Sequence, residues 1–343
     1  MKKTEKNQQT VTRGGLLSAL VGTVLCILLA LTALTSCTAE REQRDFAAKL
    51  EAGKTLKIGV IQFMRHPSLD NCYRGIEEGL RALDALEVKY EIDLQVGSDA
   101  SAVSDVAAYA RSMVARDYDM IIAIATPAAQ AAYTAALDTD IPVLFCAVSD
   151  PVSAKLADSM ERVGDLCVGT ADVLDLSAQL DMIEGLQSDV KKIGVIYTSS
   201  EANSVSNLKR FRALCADRGI EVVARAIQNA NEISTVARAL AREVDCINNF
   251  TDNNLVNNLS IVLEAAAAEG IPVYGSEEEQ VRLGCVGSMS IDYVTVGRET
   301  ASLAIRAIRG EKIKDMAVTV CDEAYPVYND GALGELGLVK PED

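Results

Sequence analysis

The chain has 343 residues, 49% of them hydrophobic, 24% charged and only 4% aromatic, with a formal net charge of −16. That acidic excess disfavours nucleic acid or an anionic lipid surface as a partner, and the length exceeds what one hydrophobic core organises, so two domains are expected. A single histidine excludes a His-based metal cluster, and GxSxG, HExxH and glycine-rich phosphate loops are absent from the sequence, so neither a metal nor a cofactor is expected.

The first element in chain order is a leader. Lys2, Lys3, Lys6 and Arg13 precede an apolar run from Gly14 to Leu34, which ends in Leu34-Thr35-Ser36-Cys37. The run is long enough to span a bilayer, so an uncleaved anchor is one reading. The small residue before a cysteine instead resembles the bacterial lipobox, in which Cys37 is acylated and becomes the first mature residue. Residues 1–36 are therefore expected to be a lipoprotein signal peptide. Either outcome places the remainder outside the cytoplasm, because the basic flank stays inside. Removing four basic residues and one acidic residue with the leader brings the net charge to −19. Residues 37–54 are polar, charged and free of proline, and are expected to form a tether or frayed helix.

Beyond the tether the chain repeats itself. Lys57-Ile58-Gly59-Val60-Ile61 returns as Lys192-Ile193-Gly194-Val195-Ile196, and the helix over 73–86 and strand over 89–96 return at 205–218 and 220–227. Asp119 to Ala125 matches Asp245 to Phe250, and Asp140-Ile141-Pro142-Val143 matches Gly270-Ile271-Pro272-Val273. Short apolar runs separated by amphipathic segments predict parallel strands covered by helices on both faces. The fold class is thus α/β, with two doubly wound lobes. Lobe 1 is expected to comprise 55–148 plus 291–315, and lobe 2 to comprise 149–290 plus 316–343. Seven cysteines follow Cys37 without a CxxC spacing; those within apolar runs, such as Cys146, Cys246 and Cys285, read as buried free thiols.

Several stretches, IGVIQFMRHPSLD, IAIATPAAQAA, AVSDPV, GVIYTSSEANS, TDNN, YGSEEE and IDYVTVGRETA, together resemble the tryptophan and tyrosine branch of ABC-transporter substrate-binding proteins, from about Lys57 to Gly337. The resemblance implies a type 1 periplasmic-binding fold, with hinge crossings near Ser149-Asp150, near Ser290 to Tyr293, and before the C-terminal strand. It also implies an amino-acid-like, often aromatic, ligand and an ABC permease with a cytoplasmic ATPase as partner. The expected protein is then a monomeric, lipid-anchored solute-binding component rather than an enzyme. A lipoprotein sensor or co-receptor using the same cleft is the alternative, as is an importer component for a sugar or nucleoside. Asn248-Asn249-Phe250 departs from the more apolar approach the family pattern would bring to the TDN turn.

In doubly wound sheets ligands bind beyond the carboxyl ends of the strands, so the loops there carry the candidate residues. Thr126, with Pro127 and Ala128, opens a helix whose N–H groups suit a ligand carboxylate, although a threonine cap that serves only its helix fits equally well. Thr198 to Ser204 offers more polar groups than a cap needs, and so Ser200, Glu201, Asn203 and Ser204 are candidates. Asp252 is the first choice for a ligand ammonium, with Asn253 beside it, and a bare N-cap aspartate is the other reading. Gln62, Phe63, Tyr197, Phe250 and Tyr274 are candidate pocket walls, or core aromatics in the case of the rings. Ser149, Asp150, Ser276, Glu277 and Asp292 occupy equivalent strand exits. The acidic run Glu277-Glu278-Glu279 also suits a first helical turn, and the role of the loop around His66 is left open.

Overall fold

The two lysine-led runs become the central strands of two parallel sheets. In a computed structural model, which describes residues 44–99 and 101–341, these are Leu56–Gln62 (β1) and Lys192–Thr198 (β6). Tyr90–Val96 (β2), Met120–Ile124 (β3), Val143–Cys146 (β4), Cys167–Asp172 (β5) and Thr319–Cys321 (β11) complete a six-stranded sheet, in the order β11-β5-β4-β3-β1-β2. Glu221–Ile227 (β7), Cys246–Asn248 (β8) and Val273–Tyr274 (β9) form the second sheet, in the order β7-β6-β8-β9. The repeat is therefore topological: β2-β1-β3-β4 in one lobe is β7-β6-β8-β9 in the other. Gly287–Ser290 (β10) follows β9 and pairs antiparallel with Tyr325–Tyr328 (β12).

The helices are Phe46–Glu51 (α1), Pro67–Leu80 (α2), Ala102–Ala115 (α3), Thr126–Ala136 (α4), Leu176–Leu186 (α5) and Ala202–Asp217 (α6), then Ile233–Ala241 (α7), Asn253–Asn257 (α8), Leu259–Glu269 (α9), Glu278–Leu283 (α10), Tyr293–Ile308 (α11) and Asp330–Glu335 (α12). Strand residues such as Ile58, Val60, Ile122, Leu144, Phe145 and Val168 are fully buried, each contributing about 1.5–3 kcal/mol. Helices α2 and α11 meet backbone to backbone. A Cβ on Gly75 would lie 2.0 Å from the Val294 carbonyl oxygen, and one on Gly297 would lie 2.1 Å from that of Cys72, so only glycine fits either position.

The repeated aspartates fasten the amino ends of the sheets. Asp119, just before β3, accepts the Lys57 N–H at 2.7 Å, and Asp245, just before β8, accepts the Lys192 N–H at 2.7 Å. A carboxylate reaching to the neighbouring strand supplies a hydrogen bond that an N–H at the start of that strand would otherwise lack.

Two expectations are corrected. Within the expected tether, residues from 44 onward are docked on the first sheet: Phe46 is buried, Arg44 donates to Asp117, Asp140 and the Tyr118 carbonyl, and Lys49 donates to Asp119. Composition registers such a segment as polar, whereas its cations are matched to aspartates at the amino ends of the strands. The leader, Cys26, Cys37 and the rest of the tether lie outside the described residues. The second correction concerns the first crossing between lobes. The chain after Asp150 turns back and adds β5 to the first sheet, so the crossing follows Asp172, and β11 returns to that sheet as well. Residues 167–172 and 319–321, which the expected boundaries placed in lobe 2, thus extend lobe 1. The other crossings run from β10 into α11 and from β11 into β12. The seven described cysteines are free, six of them buried.

Candidate ligand-binding cleft

The carboxyl ends of β1, β3, β4 and β5 face those of β6, β8 and β9 across a narrow pocket. From the first sheet it is lined by His66, Leu69, Ala125, Thr126, Ala147, Ser149 and Asp172; from the second by Asn203, Thr251, Asn253 and Glu277; and at the crossing by Tyr293. Hydrogen bonds draw the lobes together around it. Ser68 donates to Glu277 at 2.6 Å, Asn71 donates to Glu279 at 2.5 Å, and Ser206 donates to Asp150. His66 Nε2 lies 3.4 Å from Asn253 Oδ1.

Local geometry at the strand ends explains how these groups are presented. Ala125 caps α4 with φ 78° and ψ 154°, a backbone conformation that non-glycine residues rarely adopt, and its methyl group cannot cap. The first-turn N–H groups of Thr126 and Ala128 have no intrahelical acceptor, and Pro127 has no N–H. The helix therefore opens on the pocket with free donors and the positive end of its dipole. Ala147, the residue after β4, also has a positive φ, 55°. Strain of about 1–3 kcal/mol at such positions persists only where the surroundings enforce it, and here both positions line the pocket.

Opposite that helix end the pocket is acidic. Asp172 accepts from the Ser149 hydroxyl and the Tyr293 hydroxyl, each at 3.1 Å, and burial pushes its carboxyl up to about 6 against those two bonds. Glu277 is pushed up to about 8, first by burial and then by Glu279 and Asp172, with the Ser68 bond opposing. Burial also lowers His66 to about 4, which leaves the imidazole neutral. Lysine and arginine are absent from the residues lining the pocket. His66 Nδ1 and Asn203 Oδ1 are buried without a partner, as is Glu201 Oε1 nearby. Orphaned polar atoms cost stability, so the two on residues lining the pocket are open to a hydrogen-bonding partner there.

Of the residues singled out from the sequence, Thr126, Ser149, Asn203, Asn253 and Glu277 line this pocket. Phe63, Ser200 and Glu201 line a wider outer hollow, together with Arg111 and the alanines of α3 and α4. The others serve the fold. Asp252 receives four donors, Thr198 N and Oγ1, Ser204 Oγ and Leu255 N, so its acceptors are spent and it is not open to an ammonium. Gln62 donates to the Met64 carbonyl and Asp70, Ser276 donates to the Asn249 carbonyl, and Asp292 caps α11. Asp150 ties the Ser153 turn to Ser206 of α6. Phe250 packs edge-on against Phe211, Tyr274 is buried and donates to Gln187, Tyr197 packs on the core, and Ala128 is buried in α4. Asn248 and Asn249 face Gln179 and Gln280 behind the pocket, which accounts for their polarity within an apolar approach.

Tyr293 stands at an expected hinge crossing, whereas Asp172, His66, Leu69, Ala125 and Ala147 were not candidates in the sequence. The run Cys167-Val168-Gly169-Thr170-Ala171-Asp172 did carry a signal, a short apolar strand ending in an acid, but the presumed crossing at Ser149-Asp150 concealed it. The positive-φ alanines carry none, because alanine does not advertise that conformation.

Residues 57–343 match a family described as ABC transporter substrate binding protein. Among curated relatives, the chain is similar to a tyrosine-binding protein of Clostridioides difficile (strain R20291), 31% identical over 328 residues and 92% of each chain. Among solved structures, it is similar to an ABC domain in complex with L-Trp from Streptococcus pneumonia: TM-score 0.80, 32% identity, 84% of this chain and 97% of the other. A ligand-free, open substrate binding protein with adhesive properties from Clostridium difficile matches with the same coverage, 84% and 97%, and 31% identity, yet with a TM-score of 0.63. Sequence distance does not account for that gap. It agrees with the hydrogen bonds that draw the two lobes together here.

Proposed function

The chain belongs to the ABC transporter substrate-binding protein family, and we propose that it is the extracytoplasmic component that captures a free amino acid, of the aromatic class, by closure of its two lobes. The observation that carries this reading is the polarity of the pocket, with a helix end bearing free N–H groups on one side and Asp172 and Glu277 on the other. An α-amino acid carries the complementary pair of charges. Charge-assisted hydrogen bonds contribute about 1.5–3 kcal/mol each, so docking both ends supplies much of the roughly 8 kcal/mol of micromolar binding. The ring is assigned from the two relatives named for tyrosine and L-Trp.

In this reading the ligand carboxylate meets Thr126 and the first turn of α4, and the ammonium meets Asp172 and Glu277. Ligand contacts made only in the closed form bias the open-closed equilibrium. The closed form presents both lobes to a permease whose ATPase drives import. Cys37 supplies a lipid anchor, and the protein acts as a monomer. Among the described residues no helix is long and apolar enough to cross a membrane. Calorimetric titration with the L-amino acids tests the reading: saturable one-to-one binding of tyrosine or tryptophan is expected. A flat response to every amino acid, with a response to a sugar or nucleoside, overturns it.

A further inference from the structure

Closure brings two acids from different lobes into one buried space. Asp172 ends β5 of the six-stranded sheet and is held by Ser149 and Tyr293. Glu277 follows β9 of the four-stranded sheet and reaches across to Ser68 of α2. Both are about 2% exposed. The groups facing Glu277 are Ser68 and Cys72 from α2, Asp172 from β5, Tyr293 from α11, Glu279 and Gln280 from its own helix, and Cys285 ahead of β10; none is a cation. His66, the remaining titratable group lining the pocket, is neutral. Two ionised carboxylates that share a dry site repel each other, and neither has an opposite charge to offset its lost hydration. Opening the lobes returns both acids to water.

Resting on the amino-acid reading above, we propose that Glu277 is a specificity-determining residue that permits closure only when a ligand ammonium, or a proton, neutralises the acids brought together by the two lobes. A ligand with a carboxylate but no ammonium then fails even where its ring fits. The same device makes closure of the ligand-free protein depend on pH. In the open form Glu277 titrates in the usual carboxylate range, whereas in the closed form burial holds its proton to about pH 8. Closing therefore takes up a proton between those values, and it is favoured as pH falls.

Small-angle scattering of the ligand-free protein from pH 8.5 to 5 tests the gate without any ligand. The radius of gyration is expected to contract as pH falls, and Glu277→Gln, which leaves Asp172 as the one acid of the pair, is expected to be more compact than the native protein at pH 8.5 and to contract less. At pH 8, L-tyrosine or L-tryptophan should contract the native protein. Their des-amino analogues, 3-(4-hydroxyphenyl)propionate and indole-3-propionate, should leave it open and bind about 10- to 100-fold more weakly, a gap that Glu277→Gln narrows. A radius independent of pH, or analogues that bind and contract as well as the amino acids, overturns the gate. If neither amino acid binds but the ligand-free protein still contracts with falling pH, the amino-acid reading fails and the gate stands for some other cation. Should Glu277→Gln not fold, the two measurements on the native chain decide alone.

Discussion

The amino and carboxyl ends of the sheets both carry aspartate and glutamate, but they treat them differently. At the amino ends, Asp119 accepts the Lys57 N–H and the Lys49 ammonium, and Asp245 accepts the N–H groups of Lys191 and Lys192. At the carboxyl ends, Asp172 and Glu277 are buried with neutral donors and no cation, and Glu201 keeps one oxygen unpartnered. Asp119 and Asp245 at the base have their donors built in, as does Asp252 behind the cleft, while Asp172 and Glu277 lining it lack a cation. The first arrangement stabilises the fold. The second withholds stability until a cation arrives.

The sharpest way to break this comparison is to remove an acid from the base. Asp119→Ala leaves the Lys57 N–H and the Lys49 ammonium without their acceptor in a part-buried place, and a loss of about 2–3 kcal/mol is expected in urea unfolding. Asp245 is more exposed, so Asp245→Ala should lose about 1–2 kcal/mol. Neither change should alter amino-acid affinity in the fraction that stays folded. Equal losses at the two sites would mean that burial does not separate them.

The next effect has the opposite sign. Burial raises Glu201 above its ordinary value, and the Asp252 charge adds to that rise. Its partners Asn203 and Asn253 both belong to the second lobe, so opening the cleft leaves those bonds in place. The folded state thus keeps a proton that the unfolded state releases. Stability is greatest below the usual carboxylate range and declines as pH rises above about 4.3, by up to about 1.4 kcal/mol per pH unit. Glu201→Gln should flatten that slope and make the protein about 1–2 kcal/mol more stable at pH 8. Urea midpoints at pH 5.5 and 8 measure it, and parallel slopes for the two proteins would sink the assignment.

How much of this was legible in the sequence depends on which end is considered. Both lysine-led strands, the aspartates before β3 and β8 and the succession of strands and helices came from a repeat, because backbone pairing imposes one pattern on both lobes. The cleft was only partly legible. Thr126, Ser149, Asn203, Asn253 and Glu277 stand at predictable strand exits, but type and position cannot tell an acid with spent acceptors from one in want of a donor. Asp252 and Asp172 show the difference: the first was chosen for the ammonium and is saturated by Thr198, Ser204 and Leu255, and the second was overlooked. Arg44 and Lys49 were hidden in the same way, because a tether and a clamp have the same composition. Arg44→Ala removes bonds to Asp117, Asp140 and the Tyr118 carbonyl, and about 1–2 kcal/mol should be lost, read as an earlier urea midpoint. A loss below measurement would return this segment to the tether.

The smallest expected effect probes the strained backbone. Ala125 and Ala147 both have positive φ, but Ala125 at φ 78°, ψ 154° lies where almost only glycine is found, whereas φ 55° at Ala147 is that of the milder left-handed region. Replacing alanine by glycine releases strain and adds freedom to the unfolded chain, which costs about 0.5–1 kcal/mol. At position 147 the two terms nearly cancel, so Ala147→Gly should leave the unfolding free energy within about 0.5 kcal/mol of the native value. At position 125 relief outweighs entropy, and Ala125→Gly should gain about 1 kcal/mol. The gain carries a functional consequence, since a glycine no longer fixes how the first turn of α4 faces the pocket, and tyrosine or tryptophan affinity should fall as stability rises. A variant that gains stability and keeps its affinity would show that the strain is a by-product of the β3–α4 turn and takes no part in holding the helix end toward the ligand.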